Sequence, residues 1–218
     1  MIIGFYICIS LFAVLSIFHL YFCFIENEPL RAKTKPFLML LLGLSALFYN
    51  INEYLIYVSC FLACLGDIFL LKNKKTIFFL IGGTSFLACH VLNLIYVCLR
   101  SSLTIPLYFY ILIPIYFVIF SVISILFIKK LLGTQNGLGS IFYLSILSIN
   151  LSLGIIACII TKNYFYLFFS IGYVLYLISD CTLAYVTFIK DIKRRDFPVM
   201  ITYICAEFLI IISLLLTI

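Results

Sequence analysis

Tryptophan is absent from this chain, only two histidines occur, and charged residues make up 10% of it. Each shortage excludes something. A water-soluble domain of 218 residues, 66% of them hydrophobic, could not cover its surface with so few charges. Two histidines are too few for a three-histidine hydrolytic zinc centre, so no metal and no other cofactor is expected. Ten glycines and five prolines leave little room for disordered or low-complexity linkers. Cysteine is plentiful, with nine residues, but the number is odd, no C-x-x-C pair occurs and all nine fall in apolar runs. They read as small packing residues, not as a zinc or disulfide framework.

What remains is apolar sequence, with a mean hydropathy of +1.30. The chain reads as a single integral membrane domain over residues 1–218, an all-α polytopic bundle surrounded by membrane lipids. Its net charge of +6 sits in short loops, where it sets orientation, so no nucleic-acid partner is expected. The segment Met1-Ile2-Ile3-Gly4 lacks a basic stretch, and the apolar run continues to Ile25, so a retained first span is expected rather than a cleaved signal.

Apolar runs long enough for a bilayer suggest eight spans. They are Ile2–Ile25, Pro36–Tyr49, Glu53–Leu71, Thr76–Leu99, Ile105–Ile128, Leu138–Ile160, Asn163–Ile189 and Phe197 to the end. Glu26 to Lys35 reads as a loop, and Pro36 as the opening residue of a short second span. Twelve of the 14 lysines and arginines fall after the first, third, fifth and seventh spans. That alternation places both termini on the non-cytoplasmic side. The third and seventh spans each carry a small residue before an aspartate, and the following spans carry His90 and Glu207. This is the pattern of a loose 4+4 parallel repeat.

Ionisable groups inside spans are the candidates for function. There are five: His19, Asp67, His90, Asp180 and Glu207. At about 1.5 Å per residue, Asp67 lies about 7 Å, His19 about 10 Å, and Asp180 and Glu207 about 15 Å from the cytoplasmic boundary, with His90 about 21 Å away. Two buried carboxyls can divide the work of acid and base, one donating a proton and the other activating water. The same pair suits hydrolysis and proton-coupled transport equally well. A non-catalytic lipid-binding protein is a third reading. Ser179 adjoins Asp180, and adjacent helical residues do not face each other, so no Ser-His-Asp triad is readable. Tyr203 stands four residues before Glu207 on one helix face. His19, Asn93 and Asn150 read as helix–helix contacts, Gly82-Gly83 as a place of close helix approach, and the many tyrosines and phenylalanines as lipid-facing and packing surface.

Several segments share a pattern. Ser179-Asp180-Cys181-Thr182-Leu183-Ala184 with Phe188, Leu65-Gly66-Asp67-Ile68-Phe69-Leu70, Phe86-Leu87-Ala88-Cys89-His90, Lys35-Pro36 and Thr202 to Ile210 occur in order across nearly the whole chain. Together they resemble the signature of the YhhN-like lysoplasmalogenase family. Ile204 and Glu207 depart from that signature, which has tyrosine and glutamine there. The resemblance implies an eight-span membrane hydrolase that cleaves the vinyl ether of lysoplasmalogen-type lysophospholipids to a fatty aldehyde and a glycerophospho-alcohol. It implies Asp67 and Asp180 as the catalytic pair, with His90, Ser179, Tyr203, Glu207 and Gly66 supporting the site or binding substrate. A polar pocket between the aspartates is then expected, with Lys72 or Lys35 meeting the substrate phosphate.

Overall fold

The computed structural model describes residues 2–71, 76–101, 114, 116, 118, 137–188 and 192–217. Among these residues there are seven helices and no strand. They are α1 (Ile2–Phe24), α2 (Glu28–Tyr49), α3 (Tyr54–Leu70), α4 (Thr76–Arg100), α5 (Gly137–Thr161), α6 (Phe165–Phe188) and α7 (Asp196–Leu216). The fifth expected span, apart from its helical positions 114, 116 and 118, lies outside the described residues, as do Lys72, Lys74, Lys75, Lys129, Lys130 and Lys190.

Among the described residues, five helices are long and apolar enough to cross a membrane: α1, α4, α5, α6 and α7. α3 is apolar but shorter, at 17 residues. α2 has the length, but its first two turns carry Glu28, Arg31, Lys33 and Lys35. That helix departs from expectation. The segment Glu26 to Lys35 is not a loop, because Asn27 caps α2 by accepting from the Leu30 N–H and Pro29 sits in the first turn. Pro36 therefore lies inside the helix instead of opening it, and α2 runs for 22 residues. Its pyrrolidine nitrogen cannot donate to the Ala32 carbonyl.

Successive described helices pack against each other from α1 to α7, and α7 also packs on α1 and touches α2 and α3. The last helix is thus the inner one. Its buried positions, from Val199 to Leu215, wrap most of its circumference. α1 is its opposite: Cys8, Phe12, Ser16, His19 and Cys23 form one buried stripe at helical spacing, while Tyr6, Leu11, Ile17, Phe18 and Tyr21 face outward. Close approach of α6 to α7 depends on Gly172, where a Cβ would lie 2.7 Å from Ile210 Cγ1 and 3.1 Å from the Ala206 carbonyl. Gly82 meets Leu70 and the Gly66 carbonyl in the same way, whereas Gly83 faces open space.

Candidate active site

Six helices each send at least one polar side chain into the middle of the bundle. α3 supplies Asp67, fully buried. Its Oδ1 pairs with Lys35 Nζ of α2 at 3.0 Å, and its Oδ2 accepts from the Tyr203 hydroxyl of α7 at 3.0 Å. The Lys35 ammonium also stands 5.8 Å from the centre of the Tyr203 ring. Lys35 is thereby committed to an aspartate, not held out towards a phosphate. Gly66 leaves room beside Asp67 for the Phe86 ring, since a Cβ there would come within 2.6 Å of it.

α6 supplies Asp180, partly buried, with the Tyr143 hydroxyl of α5 within electrostatic reach. Its Oδ2 is enclosed and has no partner. α7 supplies Glu207, 1% exposed, within electrostatic reach of both aspartates and beside the Tyr176 hydroxyl, with Oε1 unpartnered. α3 and α6 do not form a packed pair among the described residues; α7 packs against both. The aspartates accordingly belong to one polar cluster whose members are Lys35, Tyr203, Glu207 and Tyr176 as well.

His90 of α4 joins the cluster at its deeper end, level with Tyr176, which also lies fourteen residues from its cytoplasmic boundary. Its ring stands edge-on to Tyr176 at 4.5 Å, and its nitrogens reach Tyr173 Oη at 3.2 Å and Tyr143 Oη at 3.3 Å. Tyr176 in turn stands edge-on to Tyr203 at 5.7 Å. Asn93 reaches Tyr173, and Asn150 reaches the His90 carbonyl, so both asparagines tie helices together. Ser179 points elsewhere: its hydroxyl donates to the Val199 carbonyl at 3.0 Å and clasps α6 to α7. His19 also lies apart, bonded through Nδ1 to Thr34 at 2.7 Å. Two surface hollows lie away from the cluster, one lined by Glu53, Tyr96 and Arg100 and the other on the outer face of α1, and neither opens between the aspartates.

Sequence reasoning missed Tyr143, Tyr173, Tyr176 and the true partner of Lys35. A signal existed on α6: Tyr176 and Tyr173 precede Asp180 by four and seven residues, which puts all three on one face. It was hidden in a chain with 16 tyrosines and 23 phenylalanines. Tyr143 had no such local signal, because only the fold brings α5 beside α4 and α6.

Comparison with known proteins agrees with the motif order. No curated protein and no solved structure matches the chain. The sequence profile of the YhhN family does match, over residues 30–214, a stretch that takes in every side chain of the cluster. With most of its length covered by that profile, the chain belongs to the YhhN family.

Proposed function

We propose that this protein is a membrane-embedded hydrolase that cleaves the vinyl ether bond of lysoplasmalogen-type lysophospholipids. The observation that carries the reading is the polar cluster that buried Asp67 and partly buried Asp180 share through Glu207 in a bundle of apolar helices. Family membership is consistent with it. The topology proposed with it is eight spans with both termini non-cytoplasmic and a loose repeat of four, supported by the distribution of lysine and arginine.

The two aspartates take different roles. Asp67, held by an ammonium and a phenol, serves as the fixed carboxylate. Asp180, with Oδ2 unpartnered, serves as the acid. Asp180 gives its proton to the β-carbon of the vinyl ether, whose π electrons form the new C–H bond and leave an oxocarbenium ion. Asp67 stabilises that cation and orients water. Water adds to the cationic carbon and returns one proton to Asp180. The hemiacetal then passes its hydroxyl proton to the glyceryl oxygen as the C–O bond breaks, giving the aldehyde and the glycerophospho-alcohol. The single acyl-like chain of the substrate approaches past Asp180, the less buried of the pair.

The test is mass spectrometry of purified protein incubated with a 1-alkenyl lysophospholipid. Free aldehyde and glycerophospho-alcohol in equal amounts are expected. A wild-type protein that releases no aldehyde would remove the reading, and an Asp180→Asn protein that works at the wild-type rate would remove Asp180 as its acid. Glu207, a third buried carboxyl, is the observation that favours a proton-coupled transporter instead. Gradient-driven substrate movement in proteoliposomes without aldehyde would select it, and lipid retained but uncleaved would select a binding protein.

A further inference from the structure

We infer that residues 28–35, the two turns of α2 ahead of Pro36, form a hinged strap over Asp67 that swings off to let substrate reach that carboxylate. Asp67 has no exposed surface, although the hydrolase reading, on which the strap's purpose rests, brings a cation and water against it. Three side chains cover its end of the cluster. Tyr203 and Phe86 are buried and sit among buried neighbours on α7 and α4. Lys35, 16% exposed, is the most open of the three.

The strap differs from the rest of its helix in what holds it. No residue from Glu28 to Lys35 is buried, whereas Leu38, Met39, Leu42 and Ala46 beyond Pro36 are fully buried. Polar contacts tie the strap instead, one to each of three helices. Thr34 Oγ1 lies 2.7 Å from His19 Nδ1 of α1, Lys35 Nζ 3.0 Å from Asp67 Oδ1 of α3, and Arg31 Nη1 3.2 Å from Asp196 Oδ1 of α7. Part-exposed ties of this kind are weak one by one. Opening also lets water reach Asp67, so the carboxylate is not left dry and unpaired. One end of the strap is loosened by its own backbone: Pro36 gives no N–H to the Ala32 carbonyl, and its ring crowds the helical conformation of Lys35. The other end is pinned, with Glu26 in the left-handed region at φ 57° and its Oε1 accepting the Arg194 N–H at 2.8 Å. A short helical segment between a fixed turn and a proline, without a buried apolar anchor, has the form of a lid with defined hinges.

Cys64 reports the strap's position. It lies three residues before Asp67, is buried, and its thiol sits 3.3 Å from the Pro36 carbonyl, against the hinge. Cys60, one turn further from the strap and also buried, is the control for general loosening. In the full-length protein in lipid bilayers, labelling of each cysteine by a water-soluble maleimide is followed by peptide mass spectrometry. Thr34→Val and Asp196→Asn each remove one tie and are expected to speed Cys64 labelling about threefold, with Cys60 unchanged. Pro36→Ala restores the N–H to Ala32 and is expected to slow Cys64 labelling about fivefold. Cys64 rates unmoved in all three variants, or Cys60 rising in step with Cys64, overturn the strap. With a 1-alkenyl lysophospholipid as substrate, kcat/KM of Pro36→Ala should fall about fivefold while its melting temperature does not fall. A Pro36→Ala protein that labels slowly yet keeps the wild-type kcat/KM overturns the strap's part in admitting substrate. A wild-type protein that releases no aldehyde would remove the hydrolase reading, and the labelling rates would still decide whether the strap opens.

Discussion

Asp67 meets an ammonium on one oxygen and a phenol on the other, whereas Asp180 keeps one oxygen with no partner at all. The two carboxyls are equivalent in the sequence, each preceded by a small residue in an apolar run, yet their surroundings assign them different work. A carboxylate whose charge is compensated in place is suited to steadying a cation that forms nearby. A carboxyl with an idle oxygen is suited to moving a proton. The largest effect should come from the second kind. Asp180→Asn offers an amide with no transferable acidic proton, and kcat for aldehyde release should fall by about 10²–10⁴-fold, the usual size of a general-acid contribution. Asp67→Asn should slow the reaction by about 10²–10³-fold, as loss of one electrostatic stabiliser does. Equal rates for wild type and Asp180→Asn, with only Asp67→Asn inactive, would reverse the assignment.

The Asp67 side of the comparison can be broken from its partner. Lys35→Met leaves a fully buried carboxylate without its cation, and removal of one member of a buried pair costs about 3–5 kcal/mol. Thermal unfolding in detergent should report that loss. The Lys35→Met/Asp67→Asn double variant should recover most of it, since no uncompensated charge is then left inside. Failure to recover would mean that Lys35 acts through packing, for example its station beside the Tyr203 ring, more than through charge. Tyr203→Phe is the milder version. It removes the donor to Asp67 Oδ2 without removing charge, and the expected cost is about 1–3 kcal/mol.

How much of this was legible beforehand differs between fold and site. Apolar runs and the rarity of charge are one-dimensional signals, and they located all seven described helices to within a few residues at most ends. The exception, α2, turned on a cap: Asn27 and Pro29 start a helix that apolarity alone would start at Pro36. The ionisable members of the site were legible because a charge inside an apolar run is conspicuous. Tyr143, Tyr173 and Tyr176 were not, because a phenol that faces lipid and one that faces a carboxylate are spelled identically. His90 counts to about 21 Å from the cytoplasmic boundary, and Tyr176, fourteen residues before Lys190, counts to the same level, which agrees with the contact of the two rings.

Ser179 and Asp180 give the smallest and sharpest version of the comparison, since they are neighbours on one helix. Successive helical residues diverge by about 100°, and the two side chains go to different helices: Ser179 to the Val199 carbonyl of α7, Asp180 towards Tyr143 of α5. If Ser179 only clasps α6 to α7, Ser179→Ala should cost about 0.6 kcal/mol, the average for a hydrogen bond between membrane helices. The Val199 carbonyl remains satisfied because it lies inside α7, where the backbone N–H four residues on donates to it. Aldehyde release should then stay within about twofold of wild type, a change of about 0.4 kcal/mol in barrier. A tenfold fall in kcat with unchanged melting temperature would show that the serine reaches the reacting atoms, and the division of labour between these adjacent residues would have to be redrawn.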